Sequence, residues 1–78
     1  MSPRLPSITA KDLAKAIKKY GFSFYRQKGS HQVWKHRDGR WTTIPIHPGE
    51  NIGRGLFRKI LRDLEMSPKE FIQLFRKK

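Results

Sequence analysis

One histidine lies among cations in the segment RQKGSHQVWKH, which runs from Arg26 to His36. His31 directly follows Gly29-Ser30, a pair that can turn the chain. Histidine is the side chain whose unperturbed pKa suits proton transfer near neutral pH, and a glycine lets backbone approach a phosphate closely. The cations of this segment that could hold a phosphate group are Arg26, Lys28 and Lys35.

RNA is the substrate that suits such a set of residues, because its 2′-hydroxyl is a built-in nucleophile. Cleavage then needs a base to take that proton, an acid to protonate the leaving 5′-oxygen, and cations to stabilise the charge on phosphorus. The residues therefore indicate RNA cleavage by His31. They leave open a plainer alternative, in which this histidine only contacts phosphate or is solvated on the surface.

The charge balance of the whole chain also favours a nucleic acid. Eighteen Lys and Arg residues against six Asp and Glu give 78 residues a formal net charge of +12. Such an excess concentrates polyanions around a protein. A solvated basic surface without a partner is the alternative, and binding to a membrane surface is disfavoured because the basic residues are spread along the chain. The lysines of the first helix and the arginines of the second are further candidates for RNA contacts.

Other chemistries find little support in the sequence. There is no cysteine for a disulfide or a thiolate zinc site. His31, His36 and His47 do not have metal-site spacing, and no carboxylate is placed to complete such a site, so we expect neither metal nor cofactor. Ser30 and His31 would point to opposite faces of a strand, which excludes a serine triad. The GxG of Asn51–Gly55 indicates a turn into a helix rather than a nucleotide site.

The pattern of residues predicts one domain over 1–78. After an irregular lead at 1–8, Thr9 caps a helix over 9–20, and Gly21 ends it. Alternating and β-branched residues then predict a three-stranded antiparallel meander over 22–46. A second helix and a third, opened by the capping box of Ser67–Glu70, fill 54–76. This order predicts an α+β fold with the helices on one face of the sheet.

The register of the strands decides where His31 lies. A two-residue turn at Asp38-Gly39 would oppose Val33 to Ile44, and with a turn at Lys28-Gly29 it would make Phe24, Val33 and Ile44 one apolar core row. His31 would then lie on the next row, at the rim of the core, with Arg26 opposite it and His47 nearby. A turn at Gly29-Ser30 would instead place Lys28 beside His31 and align Tyr25, Trp34 and Thr43.

No segment resembles a secretory signal or approaches the length of a membrane span, so the sequence favours a cytoplasmic location.

The chain resembles the HicA (YcfA-like) toxin family across essentially its whole length. The resemblance is carried by the first helix ending in YGF at Tyr20–Phe22, by RQKGSHQVWKHRDGR, by IPIHPGENIGRG and by LFRKILRDLEMSPKEF. It implies a fold like that of the double-stranded-RNA-binding domain, ribosome-independent cleavage of mRNA, and a HicB-type antitoxin that masks the active site. It also implies that His31 is the catalytic residue. The residues that we expect around a bound phosphate are Arg26, Lys28, Gly29, Ser30, Lys35 and His47.

Overall fold

Three antiparallel strands form a meander in the order β1-β2-β3, and helices cover one of its faces, in a computed structural model that describes residues 5–76. The elements are α1 (Ala10–Lys19), β1 (Phe22–Lys28), β2 (His31–His36), β3 (Trp41–Pro45), α2 (Arg54–Asp63) and α3 (Pro68–Arg76). The predicted α+β fold is confirmed, and its α-β-β-β-α order is that of the double-stranded-RNA-binding domain. Within the described residues, no helix is long and apolar enough to cross a membrane.

The boundaries of α1 follow from its own end residues. The Thr9 hydroxyl accepts a hydrogen bond from the Asp12 amide at 3.2 Å, which satisfies one of the unpaired amides of the first turn. At the other end Gly21 has a φ of +106°, a conformation that glycine adopts without steric cost. Between them Leu13 and Ile17 are fully buried against the sheet.

The first hairpin turns at Gly29-Ser30, so Lys28 is the partner of His31 and the predicted pairing of Arg26 with His31 is wrong. Gly29 has a φ of +59° and takes the first position of this two-residue turn, where glycine adopts a positive φ without steric cost. The register then shifts at Tyr25, because a β-bulge leaves Phe24 opposite Trp34 and Arg26 opposite Val33. The predicted row of Tyr25, Trp34 and Thr43 is therefore also wrong.

The second hairpin closes through a three-residue loop, Arg37–Gly39, rather than the predicted two-residue turn at Asp38-Gly39. The His36 amide donates to the Arg40 carbonyl at 2.8 Å, and Gly39 has a φ of +103°. A type I turn followed by a residue with positive φ has this length, and Asp-Gly suits it as well as it suits the two-residue turn. The extra residue moves every later pair by one position.

The core row differs from the predicted one for that reason. Val33 pairs with Thr43, Gln32 pairs with Ile44, and Trp34 pairs with Thr42. The side chains buried on the helix side of the sheet are Phe22, Trp34, Thr42 and Ile44. The predicted row of Phe24, Val33 and Ile44 is wrong, and Phe24 is 50% exposed.

The helices at the C-terminal end are separated by a turn in which Glu65 has a φ of +53°. Ser67 and Glu70 then cap α3 reciprocally, since the Ser67 hydroxyl accepts from the Glu70 amide and the Glu70 carboxylate accepts from the Ser67 amide. The ring of Phe71 on α3 packs edge-on against that of Phe57 on α2, with 5.1 Å between the ring centroids. Both rings are buried, so α3 contributes to the same core as α2.

The described part of the segment before α1, residues 5–9, packs against the rest of the fold, although the prolines predicted an irregular lead. Leu5 and Ile8 are buried in the core, and the Ile8 carbonyl accepts from the Ile52 amide at 2.8 Å. Thr9 and Asn51 form a bridge beside this bond. The chain before α1 thus pairs with the loop before α2, a non-local contact that local sequence patterns do not predict. The rest of the predicted lead, residues 1–4, lies outside the described residues.

Candidate functional site

His31 is the first residue of β2, exposed to solvent, with Lys28 and Pro45 as its strand partners. Since side chains alternate along a strand, and Trp34 points into the core, His31 lies on the face of the sheet that the helices leave uncovered. The predicted turns at Lys28-Gly29 and Asp38-Gly39 would have placed His31 at the rim of the core, and the observed register does not. The imidazole is therefore accessible to a large ligand.

The uncovered face, which we call the open face, is basic. The strand alternation, with the bulge at Tyr25, assigns to it Ser23, Tyr25, Arg26, Lys28, His31, Val33, Lys35, Trp41, Thr43 and Pro45. None of the six acidic residues of the chain lies in any of the three strands. The cations of the open face consequently have no carboxylate among their strand neighbours, which makes the face attractive to phosphates.

The turn that presents His31 is held by hydrogen bonds from both sides. The side-chain Nε2 of Gln27 donates to the Gly29 carbonyl at 2.9 Å, and its Oε1 accepts from the side-chain Nε2 of Gln32 at 3.2 Å. The Ser30 carbonyl accepts from the Ile46 amide at 2.6 Å, which ties the turn to the end of β3. These bonds fix the backbone on each side of the imidazole.

The expected site residues are brought together only in part. Arg26, Lys28 and Lys35 share the open face with His31, and Gly29-Ser30 form the turn beside it. His47 lies in the loop after β3 and lines a different feature, a groove of about 580 Å³ between that loop and α1. His47 is exposed and shares this groove with lysines of α1, whereas His31 lies on the open face.

The α1 groove is lined by both cations and apolar side chains. Lys11, Lys15 and Lys18 of α1 contribute the cations, and Trp34 and Ile46 are among the apolar side chains. The sequence made the α1 lysines candidates for RNA contacts, which stays a prediction, and three of them line this groove. Their relation to His47 was missed, because only the loop after β3 brings them near each other.

His36 has a structural environment that distinguishes it from His31. Its ring packs edge-on against Phe22 at 5.0 Å between centroids, and its Nδ1 accepts from the Asp38 amide at 3.1 Å. Arg40 donates to the Asp38 carboxylate and also to the Leu64 carbonyl. Hydrogen bonds from Arg40 lower the pKa of Asp38 to about 2. Arg40 thus ties the tip of the second hairpin to the end of α2, and His36 packs that tip against Phe22 of β1.

Between residues 5 and 76 there is no group of three or more His, Asp or Glu side chains that could hold a metal ion. The chemistry that the site offers is that of an exposed imidazole among lysine and arginine side chains. Such a set can move a proton and bind an anion.

Comparison with known protein families gives a match over most of the chain. Residues 10–66 of the 78-residue chain match the family model described as the HicA toxin of bacterial toxin-antitoxin systems. The matched region begins with α1 and ends after α2, so it includes the entire sheet and His31. No curated protein sequence matches the chain.

Proposed function

Because the chain belongs to the HicA toxin family of bacterial toxin-antitoxin systems, we propose that it is an endoribonuclease that cleaves messenger RNA. The family makes it a toxin. The observation that supports the proposal is the position of His31, exposed on a sheet whose strands contain no acidic residue, with Lys28 as its strand partner. A protein that only binds RNA would be served there equally well by lysine or asparagine.

The reaction uses the nucleophile that RNA supplies. One group removes the proton of the 2′-hydroxyl, and the 2′-oxygen then attacks phosphorus. The bond from phosphorus to the 5′-oxygen breaks, and that oxygen receives a proton from an acid. The products are a 2′,3′-cyclic phosphate and a 5′-hydroxyl, and no metal ion is consumed or required.

His31 is the proton-transfer group of this mechanism, as the base or as the acid. Lys28, on the neighbouring strand, is placed to bind the phosphate next to it, and Arg26 and Lys35 extend the cationic track along the open face. Gly29, with no side chain, leaves the backbone of the turn open to a phosphate oxygen. The second proton-transfer group is not assigned, and His47 is among the residues that line the α1 groove.

The test is cleavage of a labelled RNA by the native chain and by His31→Ala, both in EDTA. We expect the native chain to cut and to leave a cyclic phosphate, and His31→Ala to bind RNA with little change but to cut at least about 100-fold more slowly, the lower range of general acid-base effects. The same RNA with 2′-O-methyl groups should resist cleavage. Lys69→Ala, which removes an exposed cation of α3, is the control for a loss of charge alone.

The outcomes separate the alternatives. If His31→Ala cuts as well as the native chain, the assignment of His31 is wrong. If EDTA abolishes cleavage, the metal-free mechanism is wrong. If the native chain and His31→Ala both bind RNA and neither cuts, the protein is a non-catalytic RNA-binding module of the double-stranded type, the second function that the fold supports.

A HicB-type antitoxin is the proposed protein partner. A net charge of +12 favours an acidic surface on that partner, and a partner that covers the open face would mask His31. Addition of the antitoxin should therefore stop cleavage and displace bound RNA in a competition experiment. An antitoxin that binds while RNA stays bound would show that it acts elsewhere than on this face.

A further inference from the structure

Two of the most exposed aromatic side chains lie on the open face, at the end of the sheet away from His31. Tyr25 is 57% exposed and Trp41 is 56% exposed. Single exposed aromatic residues are common on protein surfaces. Here, however, Tyr25 on β1 and Trp41 on β3 lie on either side of Lys35 on the central strand.

Lys35 links the two aromatic residues into one row. Its Nζ lies 3.8 Å from the centroid of the Tyr25 ring, and Trp41 is its direct partner on the neighbouring strand. The bulge at Tyr25 makes this arrangement possible, because bulges redirect a side chain relative to a regular strand. We call Tyr25, Lys35 and Trp41 the aromatic row.

The aromatic row and His31 belong to one surface. Lys35 and His31 are four residues apart on β2, which is about 13 Å at the rise of a strand. Val33 lies between them on the same face, with Arg26 as its partner. A ligand that contacts both ends of the open face must therefore be elongated and must tolerate cations along its length.

We infer that the open face binds single-stranded RNA, with bases stacked on Tyr25 and Trp41 and phosphates on the cations between them and His31. The inference rests on the proposed function, since the strand bound is the one that His31 would cut. Exposed aromatic side chains on a basic sheet suit a single strand, whose bases present free faces for stacking. A duplex keeps its bases stacked inside and offers such rings only sugar and phosphate.

The experiment measures RNA binding in the His31→Ala chain, so that its result does not depend on cleavage. The probe is a fluorescent, unstructured RNA of about twelve nucleotides, within the usual site size of such modules, and the comparison is the same RNA annealed to its complement. We expect the single strand to bind more tightly than the duplex. Trp41→Ala, introduced into the His31→Ala chain, should weaken single-strand binding by about 5- to 150-fold, the effect of losing one stacked base.

Two control variants and one further test variant distinguish stacking from other causes. Trp41→Phe retains an aromatic ring and should stay within about threefold of the parent affinity. Phe75→Ala removes an exposed ring from α3 and should leave RNA binding unchanged. Tyr25→Ala tests the second ring independently of Trp41. Circular dichroism of each variant confirms folding, which exposed positions should not disturb.

The salt dependence separates stacking from phosphate contacts. Trp41→Ala should lower the affinity by the same factor at every salt concentration, because a ring releases no counterions. Lys35→Met should reduce the slope of log K against log salt by about 0.7, the value for one phosphate contact with a single strand. If Trp41→Ala instead changes the slope of log K against log salt without a uniform loss of affinity, a stacking role is contradicted.

Other results would overturn the inference without touching the proposed function. These are duplex binding as tight as single-strand binding, or an unchanged affinity in both Trp41→Ala and Tyr25→Ala, while the native chain still cleaves RNA. If the aromatic variants weaken binding of the antitoxin but not of RNA, the aromatic row is a protein interface and the inference is wrong. If the native chain cuts no RNA while single-strand binding depends on the aromatic row, the proposed function fails and the inference stands.

Discussion

Replacement of Gly21 by alanine should destabilise the protein through a specific contact with His36. Gly21 has a φ of +106°, and a Cβ built there lies 2.8 Å from Nε2 of His36. Real Cβ contacts are essentially never that short, so the imidazole ring must move. The variant therefore combines an unfavourable backbone conformation with displacement of a packed side chain.

Gly39 provides the matched control. Its φ of +103° is nearly the same, and no atom lies within 4 Å of its built Cβ. Both alanine variants share the backbone cost of positive φ, about 1–2 kcal/mol, and the small gain from a less flexible unfolded chain. These shared effects cancel in the difference between the two free energies of unfolding.

The difference should equal the cost of moving the His36 ring. A displaced ring loses its acceptor role toward the Asp38 amide, about 0.5–1.5 kcal/mol, and its edge contact with Phe22, about 0.5–1.5 kcal/mol. Gly21→Ala should thus cost about 1–3 kcal/mol more than Gly39→Ala. At this chain length each kcal/mol corresponds to about 4–8 °C in the melting temperature.

The assay is urea unfolding followed by circular dichroism, for both variants in the native chain and in His36→Ala. With the ring removed, Gly21→Ala and Gly39→Ala should cost nearly the same. If the two variants are equally destabilising when His36 is present, the ring is not held against Gly21 and the reasoning is wrong. A difference that persists in His36→Ala would mean that another contact at Gly21 causes it.

Three further predictions concern the rest of the fold. Thr42→Val should lower the free energy of unfolding in urea by about 1 kcal/mol, because the buried hydroxyl donates to the Asp63 carboxylate at 3.0 Å. An unchanged free energy of unfolding would mean that this hydrogen bond does not stabilise the fold. Phe71→Ala should cost about 3–5 kcal/mol, since its ring is fully buried; a cost below about 1 kcal/mol would show that α3 packs loosely. Asp38 has its pKa lowered to about 2 by Arg40, so its contribution to stability is present above about pH 4 and is lost as the pH falls toward 2. The stability difference between native and Asp38→Asn should therefore shrink over that range in acid titrations, and a constant difference would contradict the ion pair.

Local signals in the sequence predicted the features that depend on one or two residues. The Thr9 cap, the capping box of Ser67–Glu70 and a turn that includes Gly29 each follow from a short motif whose physics is complete within the motif. His31 was also identified from local information, since its type and its position after Gly29-Ser30 are visible in the sequence. Its face of the sheet was not.

The face depends on register, which local motifs do not determine. Asp38-Gly39 is compatible with both a two-residue and a three-residue loop. The choice shifts the pairing of β2 with β3 by one residue, and this decides whether Val33 or Trp34 lies on the same face as the buried side chains of β3. Burial of the larger ring of Trp34 in place of Val33 favours the observed register, because it removes more apolar surface from water. The pairing of Ile8 with Ile52 is likewise non-local and had no sequence signal.

The bulge at Tyr25 connects the core to the site. In a regular β1 strand with Lys28 beside His31, alternation would turn Phe22 and Phe24 toward solvent and Tyr25 toward the helices. One extra residue reverses the alternation, so that Phe22 is buried while Lys28 stays on the open face. The same residue sets the Tyr25 ring beneath Lys35. A strand without the bulge could bury its phenylalanine or present its cations beside His31, but not both, which explains why an irregular strand lies next to the candidate catalytic residue.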